Sequence, residues 1–235
     1  SGEDDLTSVD LANDVVGAFP TFMPNRIIHP TDTLTGGKRP SAASVEAHLK
    51  ELESVLGKEM EGPVDALLFS GGIDTSLLAA LLYERTEVPL VTVVLREGDA
   101  PDLDYSTLCA RLLAGRQHIR YFDLDRAVRA ARETIRVLQV FDPPEIRNGL
   151  TVWLGMDLCR ELGLRTVMTG DGADELFAGY GFLLDMPIDD IQRWIGETHR
   201  NWRFSSPALG ESMGLEVSQP FLSREVIEHG LPVPL

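Results

Sequence analysis

The chain reads as an α/β protein, a mostly parallel, twisted sheet with helices on both faces. Three observations predict this. Short apolar runs alternate with helical patterns between residues 65 and 169. One run, PLVTVVL at 89–95, is apolar at nearly every position, as a strand covered on both faces must be. Two glycine-rich loops directly follow such runs, at the points where strand passes into helix.

The elements follow in order. Val45, Leu49, Leu52, Val55 and Leu56 recur at helical spacing over 41–57, ending near Gly57 and Gly62. A buried strand at 65–69 leads to a helix over 74–85 carrying Leu77, Leu78, Leu81 and Leu82. The strand at 89–95 precedes a helix at 104–115, and a third strand at 118–124 precedes helices near 125–140 and 148–162. RTVMT at 165–169 is a fourth strand. Parallel strands joined through helices imply right-handed crossovers. Beyond residue 181 the pattern is mixed, with one helix near 189–200 and an irregular stretch over 205–214. Residues 1–40, punctuated by Pro20, Pro24, Pro30 and Pro40, read as an N-terminal arm ahead of a domain over 41–235, and as a candidate dimer arm.

A net charge of −16 opposes a general nucleic-acid partner, which needs a basic footprint. Only Lys38, Lys50 and Lys58 are lysines among 21 basic residues, a balance that suits either a high-salt surface or simple compositional bias. No apolar run approaches the roughly 20 residues of a membrane helix, and the first residues lack the basic and apolar regions of a signal peptide. With only Cys109 and Cys159 present, a disulfide framework is not expected, and a cytoplasmic protein is. The five histidines show no metal-ligand spacing and read as structural or surface residues.

The first loop, FSGGIDTS at 69–76, suits an anion. Gly71 and Gly72 let backbone N–H groups approach closely, the following helix N-terminus adds positive partial charge, and Ser70, Thr75 and Ser76 offer hydroxyls. Asp74 is out of place beside a bare phosphate but suits Mg²⁺ held between carboxylate and phosphate oxygens. A lone SGG would be no more than a tight turn with a helix cap. The second loop, TGDGADELFAGY at 169–180, adds Asp171, Asp174 and Glu175 beside Gly170 and Gly172 on the same expected sheet edge. One carboxylate from each loop on a shared Mg²⁺–polyphosphate accounts for both motifs. No GK[ST] is present, so neither is a Walker A loop.

SGGIDTS resembles the pyrophosphate loop of the N-type ATP pyrophosphatases, and TGDGADELFAGY resembles the second signature of the asparagine synthetase C-terminal domain. PDLDYSTLCARLL at 101–113, the stretch 141–175 and GLEVSQPFL at 214–222 extend the likeness to about residues 41–230. The resemblance implies an adenine nucleotide alpha hydrolase-like, Rossmann-like fold, and a ligase that activates a carboxylate with ATP, releases pyrophosphate and admits ammonia. It also implies roles. Ser70, Gly71, Gly72 and Thr75 would cradle pyrophosphate, Asp74 and Asp174 would hold Mg²⁺, and backbone at Leu68, Val94 (or Val93) and Gly170 would meet the adenosine. Asp171 would face the activated carboxylate and orient or deprotonate the incoming amine.

The sequence departs from the family at several positions. Thr75 replaces serine, Asp171 replaces a longer glutamate, Ser223 follows Pro-Phe-Leu where aspartate is usual, and Gln219 breaks the arginine-valine-proline motif. No lysine follows Lys58, so the family's late lysine has no counterpart here, and Lys38 is a weak substitute. Neither cysteine is N-terminal, so ammonia is expected free or from a separate glutaminase subunit. Aspartate is the favoured acceptor. Two other readings stand: a non-catalytic ATP-binding subunit, and a related enzyme acting on a nucleobase or tRNA. The charge and the lack of Cys-x-x-Cys weigh against the last.

Overall fold

A computed structural model of the chain describes residues 42–98 and 100–230. The expected N-terminal arm, its dimer role and Lys38 lie outside these residues. The chain divides into two compact units. The first comprises Val64–Thr169 and Ser205–Ser218 and contains the whole sheet. The second comprises Gly170–Phe204 with the described residues 42–63 and 219–230.

In the first unit, β1 (Ala66–Leu68), β2 (Leu90–Leu95), β3 (Gln117–Phe122), β4 (Thr166–Met168) and β5 (Glu216–Ser218) form one parallel sheet in the order β3-β2-β1-β4-β5. The order reverses direction between β1 and β4, whose registers pair Ala66 with Val167 and Leu67 with Met168. Ligands of open parallel sheets bind outside the carboxyl ends of strands at such a switch point. β1 ends there and leads directly into the first glycine-rich loop.

The helices of this unit confirm cover on both faces. α4 (Leu124–Leu138) and α5 (Pro143–Glu161) begin at Asp123 and Asp142, whose side chains accept from the backbone N–H of Arg126 and Glu145. Along α5, Leu150 and Leu154 pack with Leu95, Phe122 and the alanines of α4. One turn further on, Met156, Leu158 and Cys159 pack with Ala66, Val91 and Val167. Burial pushes the Cys159 thiol up to about 12, which makes it a packing group. On the opposite face lie α2 (Ile73–Tyr83) and α3 (Pro101–Leu112): Gly115, just past α3, packs against Tyr83 and Leu90, and Ser106 is linked to Thr92 through the Gln117 amide.

Two expectations fail here. Residues 205–213 are helical (α8, Ser205–Met213), and β5 extends the sheet by a strand absent from the sequence reading. Serine, proline and glycine make α8 a poor helix by propensity, but buried Leu209 and the close packing of Gly210 on Val217 hold it. β3 also stops at Phe122, because Asp123 caps the next helix.

Arg120, Arg126, Asp157 and Glu161 tie β3, α4 and α5 together. Arg120 donates two bonds to Glu161, at 2.9 and 2.5 Å, and Arg126 reaches both Asp157 (2.6 Å) and Glu161 (3.1 Å). The Arg120 bonds above all hold the Glu161 carboxyl down at about 2. A depressed carboxyl stabilises the fold above its unfolded value, and that contribution fades as pH falls through the folded value. The stability gap between wild type and Glu161→Gln in urea titrations should therefore be constant above about pH 5, shrink below it and vanish only below about pH 2.

In the second unit, α6 (Ala173–Leu176) follows the acidic loop and α7 (Ile188–Thr198) packs Ile191 and Ile195 on Leu183, with Tyr180, Trp194 and Trp202 around them. α1 (Ala42–Glu59) packs against α9 (Arg224–Gly230) and the turn Pro220–Leu222. No helix among the described residues is long and apolar enough to cross a membrane.

Candidate active site

The first loop is a hydroxyl-lined turn on a rigid base. Ser70 Oγ accepts from the Gly72 N–H at 3.1 Å and lies 3.1 Å from Thr75 Oγ1, which itself donates to the Gly72 carbonyl at 3.4 Å. The first backbone bond of α2 runs from Ser76 N–H to the Gly72 carbonyl, so the turn ahead of it is the positive end of the helix. Gly71 has φ +83°, and a Cβ there would stand 2.5 Å from both Cα and N of Ser106. Glycine is required twice over, by its conformation and by the approach of α3.

Below the turn lies a polar network that sequence reasoning missed. Thr92 Oγ1 donates to the Phe69 carbonyl at 2.7 Å, and Gln117 Nε2 donates to both Thr92 Oγ1 and Ser106 Oγ at 3.0 Å. Buried Ser106 in turn donates to the Leu103 carbonyl. Each hydroxyl both gives and receives, so the loop rests on a satisfied network and is pre-shaped before any ligand arrives. Thr92, the one polar residue inside the apolar run of β2, was the only sequence signal for it.

The second loop has its own supports. Gly172, at φ +96°, has no room for a Cβ, which would fall 2.3 Å from Leu222. A Cβ on Gly179 would lie 2.0 Å from Asp174 Oδ1. Gln219 Nε2 donates to Asp171 Oδ2 at 2.9 Å, so the residue that breaks the expected motif holds the shorter Asp171 carboxylate in position. Tyr180 donates its hydroxyl to Glu175. Partial burial raises the Asp174 carboxyl above the ordinary aspartate range, and burial likewise raises Glu175 against the opposing bond from Tyr180. Tyr180 is raised too, by burial first and then by Glu175.

The structure thus brings Ser70, Gly71, Gly72 and Thr75 into one turn, with Asp74 in the first turn of α2. Leu68 ends β1 and Val94 is buried in β2. Gly170, Asp171 and Asp174 belong to the second unit.

A family model described as asparagine synthase matches residues 59–225, most of the chain. The chain belongs to the asparagine synthase family. Among relatives of this family, asparagine synthetase (glutamine-hydrolyzing) 3 of Arabidopsis thaliana is 26% identical over 195 residues, covering 77% of this chain and 34% of that protein. Asparagine synthetase (glutamine-hydrolyzing) of Zea mays is 25% identical over 243 residues, covering 92% of this chain and 41% of that protein. The chain therefore spans between a third and about two-fifths of the length of these asparagine synthetases. A looser likeness, at TM-score 0.46 and 15% identity, covers 78% of this chain and 63% of the U34-tRNA thiolase NcsA of Methanococcus maripaludis.

Proposed function

We propose that this chain is an ATP-dependent carbon–nitrogen ligase of the asparagine synthetase type. A carboxylate, aspartate first, is activated by Mg-ATP with release of pyrophosphate, and ammonia then displaces AMP. The ammonia is taken free from solution or delivered by glutamine hydrolysis. The observation that carries this reading is the first loop. An exposed pair of hydroxyls sits at a helix N-terminus beside a glycine no other residue could replace, and this suits a polyphosphate.

The donor set fits Mg²⁺ as well, since carboxylate oxygens are its preferred protein ligands. Asp74 and Asp174 would hold the ion, which supplies neutralisation of phosphate charge when bound. Ser70, Gly71, Gly72 and Thr75 bind and orient the leaving pyrophosphate. Backbone at Leu68, Val94 and Gly170 meets the adenosine. Asp171, held by Gln219, is placed to orient the incoming amine and accept a proton from it.

The test is release of AMP and pyrophosphate from Mg-ATP with ammonia and a panel of amino acids led by aspartate. Aspartate-dependent AMP should appear in wild type and fall to background in Asp74→Ala. ATP binding without AMP from any acid would instead favour a non-catalytic ATP-binding subunit.

A further inference from the structure

Two of the histidines, far apart in sequence, come together in space. His48 and Glu51 lie one turn apart on α1, and His229 lies near the end of α9. A ring nitrogen from each histidine and a carboxylate oxygen of Glu51 all fall within 4.8 Å of one another. All three residues belong to the second unit. We propose that they form a binding site for a divalent transition metal, Zn²⁺ first, separate from the magnesium chemistry assigned to the acidic loops.

Three features carry this. First, the spacing suits a metal better than a direct contact. His229 Nδ1 lies 3.9 Å from Glu51 Oε2, too long for a hydrogen bond. Ligands about 2.1 Å from a tetrahedral ion stand about 3.4 Å apart, so a small closure brings these atoms onto one ion. Second, the two imidazoles are inclined to one another instead of stacked, with centroids 6.3 Å apart and planes at 62°, and a nitrogen of each lies on the side shared with Glu51. Third, His229 is held in place. Its side chain is only 12% exposed, and the adjacent Gly230 packs so closely on Leu176 that a Cβ would come within 2.6 Å. Glu51, 65% exposed, leaves a path for entry.

Two neutral imidazoles and a carboxylate make a borderline donor set that favours zinc, whereas Mg²⁺ prefers oxygen alone. The fourth position falls to water. Bound there, the ion clamps α1 to α9.

The test uses the full, untagged chain stripped with chelator and titrated with Co²⁺ while visible absorbance is followed. One Co²⁺ per chain should bind with an intense tetrahedral spectrum and be displaced by one Zn²⁺. Glu51→Gln alters an exposed side chain and should leave the fold intact. It should weaken binding by more than about 100-fold, since losses outside the ligand shell already cost about 10- to 100-fold. His229→Gln and His48→Gln should do the same. Zn²⁺ should raise the melting temperature of wild type but not of Glu51→Gln. Asp74→Ala should bind Co²⁺ as wild type does. The proposal is overturned if wild type shows no saturable one-to-one binding, if Glu51→Gln and His229→Gln keep wild-type affinity, or if Asp74→Ala loses the spectrum.

Discussion

Gly71→Ala should be the most damaging small substitution in the first loop, costing about 2–5 kcal/mol of stability and abolishing the proposed Mg-ATP binding. Two penalties combine. At φ +83° an alanine is strained, and its Cβ would sit 2.5 Å from the backbone of Ser106. That backbone cannot retreat cheaply. The Ser106 side chain is bonded to the Leu103 carbonyl and to Gln117, and Gln117 is bonded to Thr92 beneath the same loop. The loop must therefore lift away from α3, which breaks the Thr92 bond to the Phe69 carbonyl or the Ser70–Thr75 pairing. Urea unfolding should show a lower midpoint at unchanged slope, and ATP titration should show no binding. A variant within about 1 kcal/mol of wild type that still bound ATP would mean that the loop is not held as rigidly as these contacts require.

Gly179→Ala should have the opposite profile, with little loss of stability and a large loss of the proposed ligase activity. Its Cβ would lie 2.0 Å from Asp174 Oδ1, and at 3.0 and 3.1 Å from Asp174 Cγ and Cα. The backbone squeeze is slight, and the carboxylate lies at the end of a side chain that can rotate. Relief therefore comes from turning Asp174 away, at an expected cost below about 1.5 kcal/mol. The proposed chemistry depends on where that carboxylate sits, and a displacement of about 1 Å can cost about 100-fold in rate. AMP formation should drop by about that factor while thermal unfolding stays close to wild type. Wild-type turnover in this variant would remove Asp174 from the proposed site.

Several elements were legible because their signals are local. The apolar run of β2 and the leucine spacing of α2 each lie within one element, and a reading of neighbours finds them. The same holds for the two glycine loops, where conformational need and residue type coincide at Gly71 and Gly172. Other features have no local signal. α8 carries three serines, a proline and a glycine among its nine residues and is held as a helix by the packing of Leu209 and Gly210. β5 has three residues and exists by pairing with β4. Gln219 looked like a lost motif residue until its amide met Asp171 from 48 positions away.

By itself the sequence determined the alternating strands and helices, the two loops and the family, since each rests on residue type at short spacing. Tertiary structure alone decided the strand order that places β1 at the switch point, the Thr92–Gln117–Ser106 support and the meeting of His48, Glu51 and His229. The physical reason is reach. Propensity and periodicity act over a few residues, whereas these bonds form only after the chain has returned to itself and burial has chosen which polar groups must be satisfied.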